Sequence, residues 1–597
     1  MSGLTPTIFL VLGVVLINGM AGRLGVPAPI LLVVAGVGAS FIPGVPHGNL
    51  DPDLVLNVLL PPLLYAAAVE GSVIAYRALL RPIVQLAVGM VLVTAFVVAL
   101  VTAWLIPDLP FAAALALGAI VAPPDAVAAV AVARRAGLPQ SVTTVLEGES
   151  LFNDATSLVL LKVAIGGIAA GSMAWGRASV ELVWATAGGI LVGLLCGVAV
   201  SWLRRSTSAS LPVTAISLVV PFVAHDLGDR VGASGVLAVV VAGLVLGFRQ
   251  PFDLQPEVRL TLGATWGTIR YVLEGAVFAL IGLELWTILT APEEVGGWSV
   301  VGIAGAVLAT VMLIRPLWIF VSSYLLPRPR RRPSITDPAD PVEPAPTGWR
   351  PLAAVSWAGM RGVVSLAAAL GLPLDTPFRN LLILCTLVVI IGTLGVQGVT
   401  LPAVIRALRL PAGPDLLTER LQARQLAGRE IRRRVEEEIA QHGVPPKEAE
   451  RLRSWISFRS WQHLGDEQHR ARGKDRDRPS LNTVTLDSVA HWRRTLMSIE
   501  RDVFVSLRNS GRISEEVMRD VEYGLDLEEA LLERRIDDAT GHLDQLRAER
   551  DQPGPTAEET GGWLAGFTGR PGDGPRTVGG GQPSDDADRR RPSGTVE

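Results

Sequence analysis

Apolar runs long enough to cross a lipid bilayer recur through the first 410 residues, broken only by short charged loops. About 30 Å of hydrocarbon takes roughly 17–25 helical residues to cross. Thirteen stretches qualify: 6–22, 27–43, 54–70, 83–106, 111–133, 141–170, 180–203, 211–227, 232–248, 269–290, 298–324, 351–371 and 380–404. Residues 1–410 carry 23 Lys/Arg and 21 Asp/Glu, whereas the remaining 187 carry 30 and 35. A soluble chain is about one quarter charged, so the first part falls well below that level and the second above it. The reading is an all-α polytopic membrane protein with a helical cytosolic appendix, neither one soluble domain nor a disordered chain. A net charge of +2 on the first part and −5 on the second suggests no nucleic-acid partner. Cys196 and Cys385 both sit in apolar runs, which leaves no disulfide framework and no cysteine metal site. The first apolar run has no basic segment before it, so it reads as a retained span rather than a cleaved signal.

Loop charges set the orientation. Arg23, Arg77 with Arg81, Arg134 with Arg135, Arg204 with Arg205, Arg249 with Arg259, and the 328–332 cluster fall in every second loop. By the positive-inside rule those loops are cytoplasmic, which places the N-terminus outside and the C-terminus inside a plasma membrane. Residues 327–348 form a Pro-rich charged linker. Beyond Arg409 the periodicity turns amphipathic. Leu417, Leu421, Ile431, Val435 and Ile439 recur at helical spacing until Gly443-Val444-Pro445-Pro446, and Val489, Trp492, Leu496, Ile499, Val503 and Leu507 form a second stripe. These stripes need a partner: each other, a second protomer or the membrane body. The domains expected are 1–410 in the membrane, 411–550 as cytosolic helices, and a Gly/Pro/Asp/Arg-rich tail over 551–597 that composition marks as disordered.

Ionisable groups deep in a span are costly and are functional candidates by default. Asp125, Glu149, Asp154, Lys162, Glu274, Glu284, Arg315 and Arg361 are such groups. Lys162 reads as a snorkelling side chain near the outer interface, and Arg315 and Glu284 as anchors or ordinary helix–helix pairs. Asp125 differs, because it follows Pro123-Pro124 at the centre of span 5. Two prolines remove two donors and crowd the preceding turn, so the helix breaks there and frees backbone carbonyls such as that of Pro124. Broken backbone at membrane depth survives only inside protein or along a cavity. In span 6, Ser150, Asn153 and Asp154 lie at i, i+3 and i+4 on one face, offering hydroxyl, amide and carboxylate oxygens to a hard cation. Span 12 places Arg361 between Gly359 and Gly362, and Glu149 is its best-placed counter-ion. Interruptions in spans 5 and 12, seven apart, are the pattern of an inverted-repeat transporter, with spans 1–6 and 8–13 as the repeats.

The string from Glu147 to Asp154 (EGESLFND), the broken segment at Asp125 and the stretch beginning Gly359-Met360-Arg361-Gly362 resemble the monovalent cation–proton antiporter family, in its Asn-Asp branch of bacterial sodium/proton exchangers. The resemblance covers spans 1–13. It implies a homodimer with a dimer domain and a moving core domain, no cofactor, and electroneutral exchange of one cation for one proton. It also implies that Asp154 binds cation and proton in turn beside Asp125 and Ser150, while a Glu149–Arg361 pair braces the core. Two positions depart from the family pattern: Pro124-Asp125-Ala126 replaces a Thr-Asp-Pro, and Ala66 stands where many members have an acid.

Rival functions fit less well. An enzyme would need a nucleophile or metal motif, and neither Gly-x-Ser-x-Gly nor His-Glu-x-x-His occurs. A cation channel would use acidic pore residues, but it needs an open path rather than a closed carboxyl that trades a proton for a cation. Sodium is the expected cargo, and potassium is the alternative within the same fold.

Overall fold

The computed structural model describes residues 4–24, 28–42, 52–125, 129–130, 138–171, 175–207, 209–289, 297–325, 348–410, 416–442, 444, 446, 449–450, 452–453 and 486–550. All regular structure among them is helical. In the apolar part the helices are α1 (Leu4–Leu24), α2 (Ala28–Ser40), α3 (Leu60–Val69), α4 (Val73–Ala78), α5 (Leu80–Val84), α6 (Val91–Leu105), α7 (Phe111–Val121), α8 (Gln140–Ala170) and α9 (Trp175–Arg205). They continue with α10 (Ser210–Arg230), α11 (Gly235–Asp253), α12 (Pro256–Leu289), α13 (Gly297–Leu325), α14 (Trp349–Trp357), α15 (Val363–Leu370), α16 (Arg379–Thr393) and α17 (Val399–Leu408). Eight helical stretches among the described residues are long and apolar enough to cross a membrane, and four shorter apolar helices accompany them. The linker after α13 and the tail beyond Arg550 lie outside the described residues.

Several spans are not uniform rods. A wide turn over Leu54–Leu59 runs directly into Pro61 and Pro62 at the start of α3. A proline ring crowds the carbonyl four residues back, and widening the preceding turn relieves that clash. Wide turns over Gln85–Met90 and Leu394–Gly398 likewise join α5 to α6 and α16 to α17.

Packing divides the spans between two hydrophobic cores. In one, α12 lies along α2, and α11 lies against α3 and α9. In the other, α6, α7, α13 and α16 close around each other with the second half of α8. Lipid is as apolar as these side chains, so close contact rather than water exclusion must hold such helices together. Small residues permit it: added Cβ atoms at Gly36 and Gly282 would strike the facing backbone of α12 and α2.

Beyond the membrane part come α18 (Leu416–Gln441), α19 (Leu486–Asn509) and α20 (Glu515–Arg550). The two amphipathic stripes meet each other: Ile431, Val435 and Ile439 of α18 pack with Trp492, Leu496 and Ile499 of α19. The chain separates into two compact units, Met1–Glu533 and Arg534–Glu597, and α20 continues from the first into the second.

Candidate functional site

The break in span 5 is where the prolines put it. Residues 112–121 of α7 are all buried, and the chain leaves the helix at Ala122 and stays irregular through Asp125. Opposite it, α14 stops at Trp357 and α15 starts at Val363. The two irregular segments touch, with the Asp125 amide donating to the Met360 carbonyl at 2.7 Å. Gly362 is the residue before α15, and a Cβ there would overlap the Asp125 carboxylate. Asp125 therefore faces a helix N-terminus, where unpaired amides carry partial positive charge.

Helix α8 presents its polar face to this break. Asn153, wholly buried, donates from Nδ2 to the Pro124 carbonyl at 2.8 Å, and its Oδ1 has no hydrogen-bond partner among the described residues. Asp154 is buried beside it, 7% exposed, and the Asp125 carboxylate is close enough to act on it electrostatically. Ser150 sits one turn earlier on the same helix, partly buried. Ser157 belongs to this face as well, donating to the Ala119 carbonyl of α7 at 2.8 Å. It lies four residues after Asn153, so extending the Ser150–Asn153 stripe by one helical turn would have found it.

The expected Glu149–Arg361 ion pair is not what forms. Glu149 is held by Arg315 of α13 in a two-pronged pair of 2.5 and 2.8 Å, and each residue is 1% exposed. Arg315 is thus no interfacial anchor; its Nε also donates to the Val355 carbonyl of α14 at 3.2 Å. Arg361, completely buried, instead donates to the Val121 carbonyl at 2.7 Å and the Gly359 carbonyl at 2.9 Å, while its amide donates to Thr393 Oγ1 at 3.0 Å. Two broken helices aim their C-terminal carbonyls at one place, and a cation there offsets the partial negative charge of both ends. Carbonyl dipoles and the nearby Glu149 field share the role expected of one carboxylate.

The other intramembrane charges lie elsewhere. Lys162 is exposed and pairs with Asp229 at 3.1 Å, as a side chain near an interface would. Glu274 pairs with Arg270 at 2.6 Å, and the Glu284 side chain and Ala126 fall outside what is described. Ala66 is buried with no polar function. Among the described residues no cluster of three His, Cys, Asp or Glu could hold a metal ion. Around the break the site brings together carboxylate, amide and carbonyl oxygens.

The family model for the transmembrane part of sodium/hydrogen exchangers matches residues 8–407, the whole of this helical body. The chain belongs to the sodium/hydrogen exchanger family. Membership makes it a transporter and not an enzyme. An uncharacterized Na(+)/H(+) exchanger of Mycobacterium tuberculosis is 32% identical over 543 residues, covering 89% of this exchanger and 96% of its own length. A sodium, potassium, lithium and rubidium/H(+) antiporter of Bacillus subtilis is 30% identical over 400 residues, 63% of this chain and 57% of its own. In fold, the exchanger is similar to the sodium proton antiporter MjNhaP1 from Methanocaldococcus jannaschii, with TM-score 0.53 and 19% identity over 68% of this chain and 97% of that one.

Proposed function

We propose that this exchanger carries sodium against a proton across the plasma membrane by alternating access, with Asp154 as the group that binds each in turn. The observation that carries the reading is the buried Asp154 carboxyl beside Asp125, on a helix whose neighbouring Asn153 grips the freed Pro124 carbonyl. Taking a carboxylate out of water disfavours its charged form, so a proton and a cation compete to neutralise it. With Asp154 protonated, the cation leaves. With Asp154 ionised, Asp125, Ser150, the Asn153 oxygen and the Pro124 carbonyl complete an oxygen shell. Mutually exclusive occupancy couples the two flows, because the empty charged site is costly to move across a dry barrier. Asn153 in place of a second acid gives one proton per cation and electroneutral exchange.

Thirteen spans in two inverted repeats fit the eight long helices, the four short ones and the interrupted α14–α15 segment. We place the membrane domain at 1–410, the cytosolic helices at 411–550 and the tail at 551–597, with the N-terminus outside, the C-terminus in the cytoplasm, and a homodimer as the working form. The breadth of cations in the Bacillus relative's name favours a second reading in which potassium is also carried. Proteoliposomes loaded with a pH dye decide: sodium outside should drive proton efflux at a rate indifferent to an imposed membrane potential. Potassium drives it too under the second reading. Proton flux without any cation gradient dependence would refute exchange.

Gly362 supplies a sharper geometric test. A methyl at this position must push the Asp125 carboxylate away from α15. Gly362→Ala should weaken apparent cation affinity at least tenfold, equivalent to about 1.4 kcal/mol, with normal membrane insertion. Unchanged affinity would separate Asp125 from the cation site.

A further inference from the structure

The cytosolic helices are tied to the membrane part by buried charges that the exchange reaction does not use. Arg259, in the first turn of α12 and 6% exposed, donates from Nε to Asp526 of α20 at 2.7 Å and makes a second, shorter contact to the same carboxylate. Arg501 of α19 reaches Asp526 at 3.0 Å and Glu529 at 2.7 Å, so one carboxylate is shared by two guanidiniums from different elements. Glu522, one turn before Asp526, lies 3.4 Å from the Arg259 Nε. Further along, Arg508 of α19 is 2% exposed, stacks 5.0 Å above the Phe248 ring of α11 and faces Glu515 at 3.7 Å.

The same helix also reaches the connection between α3 and α4. Glu515 hydrogen-bonds with Ser72, the N-cap of α4, and Arg519 approaches Glu70 at 4.0 Å, a carboxylate already paired with Arg270 of α12 at 2.6 Å. On its other side α20 is held to α18, by an Asp520–Arg420 ion pair and by Glu419 accepting from the Ser514 amide. The α3–α4 connection belongs with α11 and α12 to the first core, which continues through Tyr76, Leu79 and Ile83 before the chain enters α6 of the other core. A helix fastened to α11, α12 and this connection at once resists movement of these elements relative to one another.

We propose that α19 and α20 form a clamp across the cytoplasmic side of the exchanger, tightest at acidic cytosolic pH, which slows exchange there and loosens toward neutral pH. The regulation rests on the antiport reading above. The titrating group is Glu522. It faces Arg259 from α12, Arg501 and Arg508 from α19, and Asp526 on its own helix. Burial outweighs the three arginines and, with the Asp526 carboxylate adding to it, pushes the Glu522 carboxyl up to about 7. The docked state thus holds a proton that the undocked helix releases nearer an ordinary glutamate value. By linkage, docking is fully strong below that ordinary value, weakens as pH rises toward about 7, and is constant above it. In chemical terms, a neutral Glu522 leaves Arg259 to Asp526 and removes the repulsion between two carboxylates one turn apart.

The test uses the full chain in proteoliposomes, with two readouts. Hydrogen exchange across 515–533, corrected for intrinsic rate, should show protection falling about tenfold between pH 6 and pH 8. Glu522→Gln should remove most of that fall, the remainder coming from Glu515, whose carboxyl burial also raises. Asp526→Asn should raise sodium-driven proton flux several-fold at pH 6 and leave it unchanged at pH 8; if that variant does not fold, Arg259→Gln opens the same pair from the membrane side. Protection independent of pH in the parent chain, or lost protection at 515–533 without faster exchange at pH 6, overturns the clamp. Absence of cation-driven flux at every pH would overturn the antiport reading instead, and the hydrogen-exchange arm would still decide the pH-dependent docking.

Discussion

Asp154→Asn is expected to abolish sodium-driven proton flux while the protein inserts, folds and assembles as before. The substitution keeps size and shape but leaves a group that can neither ionise nor carry a proton. Asp154 makes no ion pair in the fold among the described residues, so its loss strands no partner. What disappears is the charge that offsets a desolvated cation. Holding a cation out of water without a counter-charge costs several kcal/mol. A deficit of about 4 kcal/mol alone slows exchange by about a thousandfold, which places the variant at the background of a vesicle assay. Asp125→Asn should be milder, since that carboxylate assists rather than carries the proton.

The second large effect concerns Glu149 and Arg315. Breaking a buried pair by removing one partner costs about 3–5 kcal/mol, whereas removing both is often close to neutral. The two single substitutions are not equivalent. Glu149→Gln leaves Arg315 and Arg361, which already act on each other, as two buried cations with no carboxylate between them. Arg315→Gln leaves Glu149 with Arg361 still nearby. Loss of Tm in detergent should therefore be largest for Glu149→Gln, intermediate for Arg315→Gln, and smallest for the double variant. Additive losses would argue against the direct contact.

Much of this was legible in the sequence, for identifiable reasons. Apolar runs marked the spans because lipid imposes length and composition directly. Pro123-Pro124 located the first break because the missing amides act within one turn, and the Gly359–Gly362 segment located the second. The stripe on α8 announced Asn153 and Asp154 because helical spacing is a local rule. The partner of Glu149 was not legible. Arg315 lies 166 positions away on another helix, and no local pattern separates it from Arg361 as a counter-ion. Arg361 was assigned a carboxylate because a charged partner is the obvious one, but the convergence of two broken helix ends supplies carbonyls instead. The wide turns at Gln85–Met90 and Leu394–Gly398 carry weaker signals than the paired prolines before Asp125: Pro82 precedes the first, and Pro402 crowds the Gly398 carbonyl that ends the second. The salt-bridged face of α20 was hidden because its partners are distant in sequence: Asp526 and Arg259 are 267 positions apart.

The claim at the centre is that one carboxyl serves proton and cation in turn. Proton release on cation binding tests it most directly. Purified exchanger in weakly buffered detergent, titrated with sodium chloride against choline chloride, should release up to one proton per protomer, with release falling off where Asp154 is already ionised. Asp154→Asn should release none, while Glu522→Gln should behave as the parent chain does. Sodium-dependent proton release that persists in Asp154→Asn would contradict the account.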